Sequence, residues 1–68
     1  MKSKFSQNLK LFRTQTNLSQ RALAQKIGVS QKAIDHWELD QAEPTISNVI
    51  KLAKFFGVSI DYLVGLED

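Results

Sequence analysis

Four polar side chains in the run QRALAQKIGVSQKAIDHWEL carry most of the recognition chemistry this chain can offer: Gln31, Lys32, Asp35 and His36. The amide of Gln31 can pair with an adenine through N6 and N7, and Lys32 can donate to guanine O6 or N7 or to a phosphate. A carboxylate at Asp35 repels phosphate, so it either accepts from a cytosine amino group or stays in solvent. His36, the only histidine, reads as a base or phosphate donor or as a plain solvated side chain. Metal binding and catalysis are poor readings of it. The chain has no cysteine to share a metal, and no nucleophile, base and orienting group can be assembled around the imidazole. No enzyme activity, metal or other cofactor is expected.

For these side chains to act together they must share one face of a helix, and the apolar residues between them place them there. Ala33, Ile34 and Trp37 recur at the spacing that turns one helical face inward, which leaves the four polar residues outward on a helix from Gln31 to Glu38. Leu23, Ala24 and Ile27 do the same for a preceding helix, Gln20 to Ile27. Gly28 supplies the left-handed residue that stops the first helix, and Ser30 can accept the orphan N–H groups of the second. Two steeply crossed helices also need a small residue where their backbones approach, and Ala24 is placed to be it. This is the geometry of a helix-turn-helix over about residues 20–38.

The stretches LSQRALAQKIGVSQKAIDHWE and EPTISNVIKLAKFFGVSIDYLVG resemble the Cro and phage-repressor (XRE-type) class of helix-turn-helix proteins, over a span from about Phe5 to Gly65. The most specific features are the spacing of Ala24, Gly28 and Ile34, the Trp37-Glu38 pair and the trailing Gly57-Val58-Ser59. The resemblance implies an all-α fold, a compact five-helix lambda-repressor-like DNA-binding domain occupying residues 1–68, with double-stranded DNA as its partner. It also implies base contacts from Gln31, Lys32, Asp35 and His36, and phosphate contacts from Gln20, Arg21, Ser30 and Thr45. Gln20 suits an anion on physical grounds too, because unsatisfied N–H groups and the positive end of the helix dipole meet at a helix start. The chain departs from its relatives after the second helix. They usually place glycine and lysine or arginine near Asp40 and Gln41, whereas Asp40 and Glu43 here put negative charge in that loop. Phosphate contacts from the loop then fall to backbone N–H groups and to Thr45.

Charge distribution points the same way. Residues 1–32 hold seven basic side chains and no acid, while residues 33–68 hold Lys51 and Lys54 against seven acids, so a half of +7 adjoins a half of −5. That asymmetry suggests a polyanion-facing half. The hydrophobic content of 43% is ordinary for a globular chain. No run approaches the roughly 18 apolar residues of a membrane span, and MKSKFSQNLK has no apolar core of a secretion signal. A soluble cytoplasmic protein without membrane contact is expected. A chain of this size buries only about 60% of the surface its unfolded state exposes, so helix packing, with dimerisation as a further source, must supply the stability without disulfides.

In chain order, Ser3 to Thr16 reads as the first helix, with Phe5, Leu9 and Phe12 on one stripe and Leu11 off it. Leu18 precedes the expected N-cap Ser19 and can staple against Leu23. Pro44 biases the loop away from helix. A fourth helix, about residues 46–56, turns Ile46, Val49, Leu52, Ala53 and Phe56 inward, and Gly57 ends it. Ser59 caps a short last helix, about residues 60–65, with Ile60 and Leu63 returning to the core. Phe55, Tyr62, Val64 and Leu66 then remain, more apolar surface than so small a core needs. In relatives the same region forms a symmetric dimer contact, which implies a homodimer joined through these four residues.

Helical arithmetic also singles out two charges. Phe5, Leu9 and Arg13 are spaced by four, as are Ile34 and Glu38, so Arg13 and Glu38 both continue core-facing stripes. An unpaired interior ion costs several kcal/mol, so each needs the other. The reading that gathers these observations is a sequence-specific regulator of transcription, a repressor that occludes a promoter as a dimer and takes no small-molecule ligand. Two alternatives stand beside it: an antitoxin-type or phage-associated regulator that also binds a protein, and an interaction module that has lost DNA binding.

Overall fold

The computed structural model describes residues 4–66, and the sequence signals for helix starts and stops account for most of its element boundaries. α1 runs Phe5–Gln15, α2 Gln20–Ile27, α3 Gln31–Glu38, α4 Ile46–Phe56 and α5 Ile60–Val64. Ser19, Ser30, Thr45 and Ser59 precede the last four, and each hydroxyl oxygen accepts the N–H of the residue three positions on, from Ala22, Ala33, Asn48 and Tyr62. That contact satisfies one of the donors a helix start leaves open. Gly28 and Gly57 close α2 and α4 at φ of 75° and 70°, where a side chain would be strained. The expected start of α1 at Ser3 lies outside the described residues; Lys4 is its N-cap, and Thr16 caps its end instead of continuing it.

One fully buried aliphatic side chain comes from each helix: Leu9, Leu23, Ile34, Leu52 and Leu63. Each contributes about 1.5–3 kcal/mol of transfer free energy, and together they make every helix part of one core. Phe5, Trp37, Ala24, Ile27, Val49 and Ala53 complete it, with Phe5 and Trp37 edge to face at 6.4 Å between ring centroids. Leu18 packs against this cluster, as a staple at the entry to α2 should. α2 lies on α3 and α4, while α1 bridges α3 and α5. No helix of the described residues is long and apolar enough to cross a membrane.

Three expected positions differ. Ile46 is 70% exposed and Ile60 37%, although the helical period turns both inward. Both are the first residue of their helix, where the Cα–Cβ bond tilts toward the amino terminus and carries the side chain past the end of the core. Val64, expected at a dimer surface, is half-buried and packs against the core. It is held there because α1 docks on the end of α5. Asn8 Nδ2 donates to the carbonyls of Tyr62 and Leu63 at 3.2 and 3.0 Å, and the Lys4 N–H donates to the Val64 carbonyl at 3.3 Å. Gly65 permits this approach: it has φ of 84°, and a Cβ there would lie 2.7 Å from Lys4 Cβ.

Candidate nucleic-acid interface

The starts of α2, α3 and α4 are built alike. Each has a β-region hydroxyl cap that accepts one first-turn N–H. Helix geometry leaves the first two N–H groups, those of Gln20 and Arg21, Gln31 and Lys32, and Ile46 and Ser47, without an intrahelical acceptor. Arg21, Ser30, Gln31, Lys32 and Thr45 are all exposed around these starts. Ser30 and Thr45 accept through their oxygens and keep their O–H groups available to donate. The pattern is one of donors and cations facing outward, the chemistry an anionic backbone requires.

Orientation of α3 is set by a polar lattice beneath its outer face. Arg13, on α1, donates from Nε to Glu38 Oε2 at 2.6 Å and from Nη2 to Glu38 Oε1 at 3.0 Å. Its Nη1 donates to the Leu18 carbonyl at 2.8 Å, which ties the connection into α2 to the same group. The side chains of Arg13 and Glu38 are only 12% and 4% exposed, so the pair is bidentate and largely shielded from solvent. Glu38 holds the guanidinium above its ordinary pKa, chiefly through the hydrogen bond and further by charge attraction, against a burial effect that lowers it.

Gln20 joins this lattice, and that differs from its expected role. Its Nε2 donates to Asp35 Oδ1 at 3.2 Å and to Glu38 Oε1 at 3.1 Å, and the residue is half-buried. A helix start suggests a phosphate ligand, and the sequence pattern gives that role to Gln20. A signal for the other arrangement existed: Asp35 lies three residues before Glu38, so a donor reaching one meets the other on the same face. Asp35 is accordingly half-buried, while His36, also half-buried, has no side-chain partner among the described residues. Thr45 precedes α4 and caps it, accepting the Asn48 N–H at 3.2 Å.

The loop after α3 shows how an aspartate can close this helix. Asp40 has φ of 59°, the left-handed conformation that aspartate tolerates better than most side chains. The Gln41 N–H donates to the His36 carbonyl at 2.9 Å and the Asp40 N–H to the Trp37 carbonyl at 3.2 Å, closing α3. Asp40 and Glu43 remain exposed.

The surface expected to pair two copies is mixed. Tyr62 is 41% exposed and stacks on Phe12 with 5.8 Å between ring centroids. Leu66 is 69% exposed. Phe55 meets Phe56 edge to face and lines a cleft with Ile27 and three lysines, Lys26, Lys51 and Lys54.

Comparison with known proteins places this geometry. A family model described as helix-turn-helix matches residues 9–63. An uncharacterized HTH-type transcriptional regulator of Bacillus subtilis is 38% identical over 60 residues, covering 88% of this chain and 52% of its own. The HTH-type transcriptional activator BcrR of Enterococcus faecalis is 38% identical over 64 residues, covering 94% of this chain and 31% of its own. The chain thus spans about half or less of the length of these two relatives. Among solved structures, the P22 c2 repressor protein in complex with a synthetic operator superposes with a TM-score of 0.86 at 32% identity, covering 93% of this chain and 96% of that one.

Proposed function

The chain belongs to the helix-turn-helix family of transcriptional regulators and has the lambda-repressor-like fold, and on that footing we propose that α3 lies in the major groove of a duplex and reads its sequence. Gln31 and Lys32, exposed on the first turn, contact base edges, with Asp35 and His36 behind them. Arg21, Ser30, Thr45 and the first-turn N–H groups of α2, α3 and α4 grip phosphates. The observation that carries this reading is the bidentate Arg13–Glu38 pair, which fixes the angle of α3 while the donors of its first turn face outward. Binding is the whole activity, without a chemical step, and it takes place in the cytoplasm.

The protein acts as a homodimer on a pseudo-palindrome, with half-site centres about 34–36 Å apart. Leu66 and the exposed Tyr62 supply the contact, joined by Ile60. Phe55 belongs at its rim, because a symmetric contact centred there would bring six lysines together. Repression by occluding a promoter is the effect proposed, and a relative named as a repressor and another named as an activator make the direction a matter for measurement. The acidic loop at Asp40 and Glu43 favours one second reading, an interaction module without DNA binding.

Titration of a labelled random duplex across a salt series separates the two. The DNA-binding reading expects affinity to fall steeply with salt, with a log–log slope near −0.9 per phosphate contacted. Absence of binding, or a flat slope, leaves the interaction module.

A further inference from the structure

Both hydrogens of the Gln20 amide are engaged. A primary amide nitrogen carries two, and the two acceptors within reach are Asp35 Oδ1 at 3.2 Å and Glu38 Oε1 at 3.1 Å. Chemistry fixes which way the amide faces, since the reverse orientation would set its carbonyl oxygen against two carboxylates. What Gln20 has left is Oε1, an acceptor, and phosphate oxygens also accept. Its side chain therefore cannot hold a phosphate without releasing one of the carboxylates. Asp35 is gripped at Oδ1 only, and Oδ2 has no hydrogen bond among the described residues.

We propose that Gln20 is a positioning residue for base recognition: by holding Oδ1 of Asp35 it aims Oδ2 as a fixed acceptor for the exocyclic amino group of a cytosine. The inference rests on α3 lying in the major groove. A carboxylate can only accept, and so can the groove edges of guanine and the O4 of thymine, so both are repelled. Adenine offers its N6 donor beside an N7 acceptor, which a second carboxylate lone pair opposes; cytosine offers its N4 hydrogens without that neighbour. A free aspartate on this helix would be pushed aside by the phosphates. One tied through Gln20 and Glu38 to Arg13 has a cation at the end of its hydrogen-bond chain and keeps its place.

Selection of bound fragments from a random duplex pool tests this with the full chain as wild type, Gln20→Ala, Gln20→Met and Asp35→Asn, with melting curves to show that each is folded. Wild type should select cytosine at one position of the site. Asp35→Asn should abolish that choice, and both Gln20 variants should weaken it about tenfold at the same position while leaving the choices made elsewhere intact. Gln20→Met keeps the length of the side chain and lacks only its hydrogen bonds, so a folding defect in Gln20→Ala does not leave the question open. If the Gln20 variants weaken every sequence by one factor with the cytosine choice unchanged, Gln20 is a phosphate anchor and the proposal is wrong. If wild type selects no sequence at all, the groove placement of α3 fails first and the proposal falls with it, a result distinguishable from the former.

Discussion

α3 and α5 are both short helices that begin on a serine cap, yet different forces hold them. α3 buries Ile34 and Trp37 and is also gripped by hydrogen bonds from Arg13 and, through Glu38 and Asp35, from Gln20. α5 buries Leu63 alone and is fastened through its backbone by Asn8 and Lys4, with Ile60, Tyr62 and Leu66 left outward. Apolar burial is non-directional and tolerates rotation of a helix; hydrogen bonds fix an angle. A helix that must present side chains to base edges needs the second kind of restraint. The hydrogen bonds to α5 reach only its backbone carbonyls, so they fasten the helix without fixing any of its side chains.

The contrast can be broken most severely at Glu38. Glu38→Ala leaves the Arg13 guanidinium and the Gln20 amide without their acceptor, and should cost about 3–5 kcal/mol. A domain of this size has only about 3–10 kcal/mol in total, so urea unfolding should show a large loss of midpoint or an unfolded chain at room temperature. Arg13→Ala in the same cycle should reveal coupling; additive losses would show the pair to be decoration.

The α5 attachment should yield less. Gly65→Ala combines a left-handed φ with a Cβ 2.7 Å from Lys4, and about 1–3 kcal/mol of destabilisation is expected. Duplex preference, measured on the folded fraction, should not change, because the lattice around α3 is untouched. A changed preference would mean that α5 also orients the reading helix.

Leu66→Asp should move stability by no more than about 0.5 kcal/mol, since the side chain is exposed. Sedimentation at tens of micromolar should nevertheless show weakened self-association. Dimers of unchanged strength would place the contact elsewhere.

The smallest effect expected is a null one with pH. A guanidinium whose folded pKa lies above its unfolded value adds stability below the unfolded value and loses it only as pH climbs past the raised one. The stability gap between wild type and Arg13→Gln should therefore stay constant from about pH 7 to 10. A gap that shrinks within this window would mean that some other group titrates against the pair.

What could be read from the chain beforehand was whatever depends on helical period and on caps. The spacing of Arg13 from Leu9 and of Glu38 from Ile34 was enough to turn both charges inward, and Gly28, Gly57 and the four hydroxyl caps marked where helices stop and start. Ile46 and Ile60 were misread because period assigns a face but not a depth, and a first-turn side chain can overhang the core it faces. The partial burial of Val64 depends on Asn8 and Lys4 arriving from the far end of the chain, which no local pattern shows. Gln20 shows the remaining limit. A long amide has several partners within reach, and which it takes is decided by carboxylates fifteen and eighteen positions away.

Whether α3 reads bases through its first turn is decided by comparing wild type with Gln31→Ala on a panel of duplexes carrying each single-base change of the best site. Gln31→Ala should lose about 1–3 kcal/mol on that site and become indifferent at one position, with discrimination elsewhere retained. An unchanged pattern of preference across the panel would contradict the placement of α3 in the groove.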